Sequence, residues 1–310
     1  MVKGMNTVTD HRAFLKSLTP DQQKDLTARS DGRGLIQLAL HLGLIGLGGW
    51  AILARVPGWP ALLVVQGILI VFLFAALHET THRTAFKTRW LNDAVAKFCG
   101  FAIGLPAHGF RFFHFNHHRF TQDPERDPEL MFEKPATLLR YLWTVTGLPV
   151  WWYHLTMIAR YAMGRSNESF IPDSERAAVH REARWMIVGY IGLAAASVAL
   201  STTALIWIWI VPLLLGQPFL RLYLMAEHGG CPFVTNMFEN TRTTFTNPLV
   251  RCVAWNMPYH AEHHAHPGVP FHKLPEFHRL CGPHLVVTER GYIRFHGRTV
   301  ATMRHLRADG

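Results

Sequence analysis

The sequence has few cysteines and long stretches without charge, and each absence excludes a class of protein. Four cysteines occur in 310 residues, far apart and with no CxxC pair, at Cys99, Cys231, Cys252 and Cys281. This spacing argues against a zinc ribbon or a disulfide scaffold and favours buried or idle thiols in a reducing compartment. We find no secretory signal before the first apolar block, so we expect the first span to act as its own insertion signal.

Charge is almost absent from four apolar blocks, which predict membrane spans at about 34–54, 57–77, 185–200 and 204–226. A hydrocarbon core of ~30 Å needs about 20 apolar helical residues. The first two blocks meet that length, the third is shorter, and the fourth is interrupted by Pro212, Pro218 and Arg221. A large soluble helical core is the alternative, but its helices normally carry a polar face. We therefore expect an all-α integral membrane protein with four transmembrane helices in two hairpins.

The distribution of basic residues predicts the orientation of these helices. Lys and Arg number 31 against 21 Asp and Glu, which gives a formal net charge of +10. Arg55 is the only charge between the first two blocks, and none separates the last two. The positive-inside rule then places both termini in the cytoplasm. We interpret the excess charge as orientation and contact with anionic lipid, and we expect no nucleic-acid partner.

We expect one structural domain at residues 34–280. A cytoplasmic N-terminal lead at 1–33 would precede it, and a cytoplasmic C-terminal tail at 281–310 would follow it.

Nine histidines form three tight clusters and one outlier, all outside the apolar blocks. The clusters have the spacings H-x-x-x-H, H-x-x-H-H and H-x-x-H-H, and positions three and four apart share one face of a helix. Neutral imidazole is a strong ligand for iron, copper, nickel and zinc. We therefore predict metal ligation by His78, His82, His114, His117, His118, His228, His260, His263 and His264.

Nine imidazoles are more than one four-coordinate ion can use, so they indicate two metal ions sharing four and five ligands. Zinc sites usually have four ligands in all. No single carboxylate occupies a cluster spacing that demands it as a ligand, so the three clusters differ from the helix-bundle pattern of Glu plus Glu-x-x-His. An all-histidine pair beside a membrane favours iron, with copper as the alternative.

Carboxylates near these clusters are candidates to support the ligands, because a ligand histidine usually donates its other ring N–H to a carboxylate or carbonyl. The candidates are Asp123, Asp127 and Glu262, together with Glu79 and Glu227, which adjoin His78 and His228. For Asp127 the alternative interpretation is a charged turn shaped by Pro124 and Pro128.

The three clusters resemble, in order and spacing, the histidine boxes of the membrane fatty acid desaturase/hydroxylase superfamily. The resemblance runs from about residue 35 to 280 and includes the run from Tyr259 to Pro270 around the third box. The stretches 78–89 and 114–129 also resemble a bacterial subgroup that includes the dihydrorhizobitoxine desaturase. No separate catalytic residue beyond the metal ligands is expected.

The resemblance implies a mushroom-like fold, with four transmembrane helices and a cytoplasmic helical cap that holds two irons on the nine histidines. It implies an O2-dependent desaturase acting on an unactivated C–H bond of a membrane lipid or fatty acyl chain, in a bacterial inner membrane. No fused cytochrome b5-like domain is visible, so electrons would come from a separate ferredoxin, rubredoxin or cytochrome b5-type protein.

Two departures separate the chain from the acyl-CoA desaturases. The turn before His228 lacks the asparagine that completes one iron through water in those enzymes, and the first box has three intervening residues, not four. The substrate therefore stays open. A hydroxylase or a carotenoid-type oxygenase is the alternative on the same scaffold, and a metal transporter is a distant one, because ligands in transporters are expected at bilayer depth.

Overall fold

The computed structural model describes residues 9–132 and 134–308, and this part of the chain is mostly helical. The α-helices are α1 (His11–Ser17), α2 (Pro20–Leu26), α3 (Asp31–Leu53), α4 (Trp59–Val71), α5 (Leu73–Thr81), α6 (Arg89–Ile103), α7 (Ala107–Phe120), α8 (Leu138–Val145), α9 (Leu148–Ala162), α10 (Asp173–Ala199), α11 (Val211–His228), α12 (Met237–Asn240), α13 (Pro248–Val253), α14 (His260–Ala265), α15 (Leu274–Cys281) and α16 (Tyr292–Ala308). Short 3₁₀ turns lie at Pro128–Met131 and Gly282–His284, and Ile206–Ile210 is a π-helical turn that leads directly into α11.

Three helical segments in the described residues are long and apolar enough to cross a membrane. They are Pro20–Leu53, which includes α2 and α3, Trp59–Thr81 and Ile206–His228. They overlap the predicted spans at 34–54, 57–77 and 204–226. The fourth predicted span, 185–200, is the C-terminal part of α10 and is not among the three. The reason is visible in the sequence, since the first turns of α10 are charged and only its second half is continuously apolar.

The second of these helices carries the first histidine cluster. Phe72 alone separates α4 from α5 and has helical backbone angles, so the apolar helix continues to His78. His82 caps the C-terminus of α5. The third long helix ends at His228, so two membrane-length helices end at the same site.

These two long helices approach each other through glycines. A Cβ on Gly67 of α4 would overlap the backbone of Pro212 and Gly216 on α11, and a Cβ on Gly216 would overlap Gly67. Such close backbone approach is typical of membrane helix pairs, where small residues form the interface. The contact aligns α5 and the end of α11 with each other.

The remaining helices pack around this pair. Phe14 of α1, in the predicted lead, has its ring near Phe238 and Phe277, so residues before 34 contribute to the core. The strands β1 (Thr243–Phe245) and β2 (Thr288–Arg290) pair in parallel, with Thr243 opposite Thr288. The residues after 281 pack against the same helices. They form β2 and α16, and α16 contacts α8 and α11.

Candidate metal centre

The nine histidines come together from four helices of the structure. His78 and His82 lie on α5 and its cap, the second cluster lies in α7, His228 ends α11, and the third cluster lies on α14. Because α14 is only six residues long, it places all three of its histidines on the site side of a single buried turn. The structure divides the nine into a five-histidine group of His78, His82, His114, His118 and His263, and a four-histidine group of His117, His228, His260 and His264.

Within each group one ring nitrogen from every residue lies within 4.8 Å of the others. In the five-histidine group the Nε2 atoms of His82 and His114 are 2.8 Å apart, and those of His118 and His263 are 3.2 Å apart. In the four-histidine group His228 Nε2 lies 3.2 Å from His117 Nε2 and 3.1 Å from His260 Nε2. The nitrogens of each group therefore converge on one point.

The two groups are adjacent. The rings of His118 and His264, one from each group, stack with centroids 4.0 Å apart. His78 and His260 likewise face each other across the groups with centroids 6.0 Å apart. Two ions held by these groups would therefore be close neighbours.

The number of imidazoles bears on which ions the groups could hold. Zinc sites usually have four ligands in all. One group offers five imidazoles and the other offers four. The five-histidine group therefore offers more ligands than a zinc site usually takes.

Burial keeps most of these rings neutral, which is the state that binds a metal. It lowers the pKa of His82 to about 3, and it holds the pKa values of His114, His118, His263 and His264 well below their usual range. Several ring nitrogens, among them both of His78, have no hydrogen-bond partner in the described structure. Buried imidazoles without partners are costly unless an ion satisfies them.

His117 differs because two carboxylates face it. Burial lowers its pKa, but Glu129 and Asp127 together outweigh burial and leave the pKa raised. Asp127 Oδ1 lies 2.9 Å from His117 Nδ1, and Glu129 Oε2 lies 3.1 Å from His117 Nε2. Asp127 therefore contacts one of the nine histidines, as a carboxylate that supports a ligand would. Glu227 lies 3.4 Å from His260 Nδ1, but no hydrogen bond joins them in the described structure.

The other three candidate carboxylates lie elsewhere. Asp123 pairs with Arg126 on the surface and caps its own turn. Glu79 is fully buried and accepts the backbone N–H of Phe271. Glu262 is also fully buried, but its carboxylate contacts Thr243 and His278. None of the three forms a hydrogen bond or ion pair with a histidine of the two groups in the described ranges. The helical direction of α14 explains the case of Glu262, because its position between His260 and His263 turns it to the opposite face.

A cavity of about 1030 Å³ opens onto both histidine groups. Its wall includes His78 and His114 of the five-histidine group and His117, His228 and His260 of the four-histidine group. Most of the remaining wall is apolar and aromatic and includes Val71, Phe74, Ile103, Phe110, Phe113, Trp151, Leu213, Leu220 and Leu224. A hydrocarbon chain could therefore lie against both candidate metal positions.

Sequence reasoning missed three polar residues that line this cavity, Glu129, His154 and Arg221. In the sequence, Arg221 is noted only as an interruption of the last span. A signal for Arg221 was present, because an ionisable residue inside a membrane-length apolar run usually has a function. No local pattern marks Glu129, since its contact with His117 depends on the turn that Asp127 starts.

The fold and the site together define a helical membrane protein with a buried histidine centre that could hold metal ions. The model of the fatty acid desaturase family matches residues 20–296, and the chain belongs to that family. It is accordingly an oxidoreductase of the fatty acid desaturase type.

Relatives are similar at low identity over most of the chain. The dihydrorhizobitoxine desaturase of Bradyrhizobium elkanii is 27% identical over 238 residues, which cover 72% of this chain and 67% of that protein. An sn-1 oleoyl-lipid 12-desaturase of Picosynechococcus sp. is 23% identical over 249 residues, covering 74% and 71%. An sn-1 acyl-lipid omega-3 desaturase (ferredoxin) of Nostoc sp. is 30% identical over 91 residues, covering 28% and 24%. These matches confirm the family and subgroup resemblance of the sequence.

Proposed function

We propose that the protein is a di-iron desaturase that uses O2 and two electrons from a separate donor protein to introduce a double bond into a lipid or fatty acyl chain. The observation that carries this proposal is the convergence of nine imidazoles in groups of five and four beside one largely apolar cavity. The donor set supports iron, because the imidazoles are buried and mostly neutral, and because a group of five exceeds the four ligands usual for zinc. The relatives that act on lipids support a lipid substrate.

In this proposal the five-histidine group holds one iron and the four-histidine group holds the other. Bound iron would supply the reduction of O2 to two waters, using two hydrogen atoms from adjacent substrate carbons, two donor electrons and two protons. Asp127 accepts the Nδ1–H of His117 and so directs His117 Nε2 towards His228. Glu227 lies near His260 Nδ1, at 3.4 Å, without a hydrogen bond to it. The apolar cavity wall holds the chain and keeps bulk water from the reacting carbons.

The proposed membrane arrangement has four spans in two hairpins, with both termini in the cytoplasm of a bacterial cell and the site in a cap on the same side. The second half of α10 supports a fourth span, because Trp185, Val188, Ile191 and Val198 expose large apolar side chains there. The electron donor is proposed to be a soluble protein of the ferredoxin, rubredoxin or cytochrome b5 type. The word ferredoxin in one relative's name supports the first of these.

Product analysis in a host that expresses the chain tests the reaction. We expect new double bonds in the membrane lipids only when O2 is supplied. His263→Ala should abolish them, because it removes a member of the five-histidine group. His180→Ala is the matched control, since His180 lies on α10 and bonds Ser166 away from the site. New hydroxyl or keto products would favour an oxygenase, and unchanged products from His263→Ala would refute the assignment.

A further inference from the structure

The cavity contains a second polar region, separate from the nine histidines. Four other side chains in the described part of its wall have a buried polar atom without a hydrogen-bond partner. These atoms are Trp151 Nε1, His154 Nδ1, Gln217 Oε1 and Arg221 Nε. They come from only two helices, α9 and α11. Native structures seldom leave buried polar atoms unpaired, and a few convergent polar groups in an apolar cavity are the usual means of orienting a ligand.

This polar region lies at a defined distance from the candidate metal centre. Gln217, Arg221 and His228 share one face of α11, because separations of four and seven residues are close to whole turns. At 1.5 Å per residue, Arg221 lies about 10 Å from His228 along the helix axis, on the N-terminal side of His228. Leu220 and Leu224 line the cavity beside Arg221. A molecule held at Arg221 could therefore extend along this wall to the histidines.

Arg221 differs from three other basic residues of the cavity wall, each of which has a hydrogen-bonded partner. Lys134 donates to Gln122 Oε1, Arg242 donates to two backbone carbonyls, and Arg298 pairs with Glu289. Arg221 has no such bond in the described structure. The carboxylates whose charges act on it are Glu129 and Glu227, and neither is within the 4.0 Å of an ion pair. Glu227 is directed to His260 and Glu129 to His117.

The neighbours of Arg221 add no second positive charge beside it. Burial, and then the charge of Arg221, lower the pKa of His154 to about 3, so His154 is neutral and adds no second positive charge. Trp151, whose ring centroid is 6.1 Å from that of His154, offers an N–H donor. One guanidinium with a planar fork of donors matches the geometry and the single charge of a carboxylate.

We propose that Arg221, assisted by Trp151 and His154, binds the carboxylate of an amphiphilic substrate whose hydrocarbon part reaches the histidine groups. The identification of this ligand as the substrate rests on the proposed function. A carboxylate site at Arg221 narrows the substrate class to a molecule with a free carboxylate, as opposed to a diacyl lipid or a neutral hydrocarbon. A phosphorylated amphiphile would use the same donors and is distinguished by the experiment below.

The test is direct binding of tritiated stearic acid, methyl stearate and stearoyl-lysophosphatidic acid to purified protein in nanodiscs. We expect saturable binding of the acid in preference to its ester. Arg221→Gln should weaken binding of the acid about tenfold or more and leave the ester unchanged, because a hydrogen bond to a charged group is lost. Arg221→Lys should retain part of the affinity. Arg298→Gln, which removes the same charge from an arginine already paired with Glu289, should leave the acid's affinity unchanged.

Iron content and thermal midpoint, measured on every variant, identify loss of folding. If Arg221→Gln does not fold, Trp151→Phe is tested in its place. This substitution deletes one N–H donor and should also weaken binding of the acid more than binding of the ester. An equal loss of affinity for acid and ester would overturn the proposal. So would the absence of saturable acid binding, or Arg221-dependent binding of the phosphorylated probe that is tighter than that of the acid. Because binding is measured without turnover, Arg221-dependent acid binding in a protein that forms no double bonds would refute the proposed reaction and leave this site standing.

Discussion

Asp127 illustrates how one side chain can prepare a ligand for a metal. Its Oδ1 lies 2.9 Å from His117 Nδ1 and accepts the N–H of Glu129, while its Oδ2 accepts the N–H of Gln122. These bonds fix the carboxylate at the start of a tight turn and fix the ring of His117 against it. The same turn brings Glu129 to the opposite nitrogen of that ring. A single aspartate therefore sets the tautomer of one ligand and the position of a neighbouring carboxylate.

We expect Asp127→Asn to reduce metal affinity of the four-histidine group by about 10- to 100-fold, as loss of a carboxylate partner of a ligand histidine typically does. The amide keeps the shape of the side chain but removes the charge that His117 Nδ1–H faces. The measurement is iron retained per chain during titration with a chelator. Asp123→Asn is the matched control, because Asp123 lies in the same turn region and pairs with Arg126 on the surface. Equal retention by both variants would show that Asp127 does not support the metal.

At the scale of elements, the approach of α4 and α11 determines how the ends of two long helices meet. Glycines at 67 and 216 face each other where the helices cross, and neither position has space for a Cβ. The intrinsic preference for alanine over glycine in a helix, roughly 1 kcal/mol, would favour substitution at both positions if they were open. Packing therefore outweighs propensity at this crossing.

We expect Gly67→Ala to lower the thermal midpoint of the protein in detergent, with a packing cost of about 1–3 kcal/mol for atoms forced into a filled interface. The added methyl group would meet backbone atoms of Pro212 and Gly216, which cannot rotate away as a side chain can. Gly43→Ala on α3 is the control, because a Cβ there meets nothing within 4 Å and should leave the midpoint unchanged or raise it slightly. A midpoint for Gly67→Ala equal to that of Gly43→Ala would contradict the close crossing.

The elements also show what a single sequence can and cannot predict. Hydropathy located three of the membrane-length helices, and histidine spacing placed the clusters on helices, because both signals are local. The helical periodicity gave no reliable boundary for α10, in which a charged half and an apolar half form one continuous helix of 27 residues. The bond between Glu262 and His278 depends on how α14 and α15 pack, which no local pattern encodes. A functional role for Arg221 could be suspected from its charge within an apolar run, but the cavity that it lines could not be predicted from the sequence.

At the scale of the whole molecule, the candidate metal centre joins segments far apart in the sequence. His78 and His264 are separated by most of the chain, yet they lie in adjacent groups supplied by four helices. Imidazole nitrogens approach to 2.8 Å in the five-histidine group and to 3.1 Å in the four-histidine group. An ion bound to each group would link the helices that supply its ligands. Metal binding and stability should therefore be coupled across the whole structure.

We expect metal-stripped protein to unfold at a lower temperature and to regain stability as ferrous iron is added, with saturation near two irons per chain. A ligand that binds only the folded state contributes about 2.7 kcal/mol at a free concentration 100 times its dissociation constant. The measurement is the thermal midpoint in anaerobic detergent solution, followed against iron content determined on the same samples. Magnesium is the control ion, because it prefers oxygen ligands in octahedral geometry and should leave the midpoint unchanged. Saturation at one iron, or equal stabilisation by magnesium, would contradict two histidine-bound irons, whereas a two-step rise would indicate that the five- and four-histidine groups fill with different affinities.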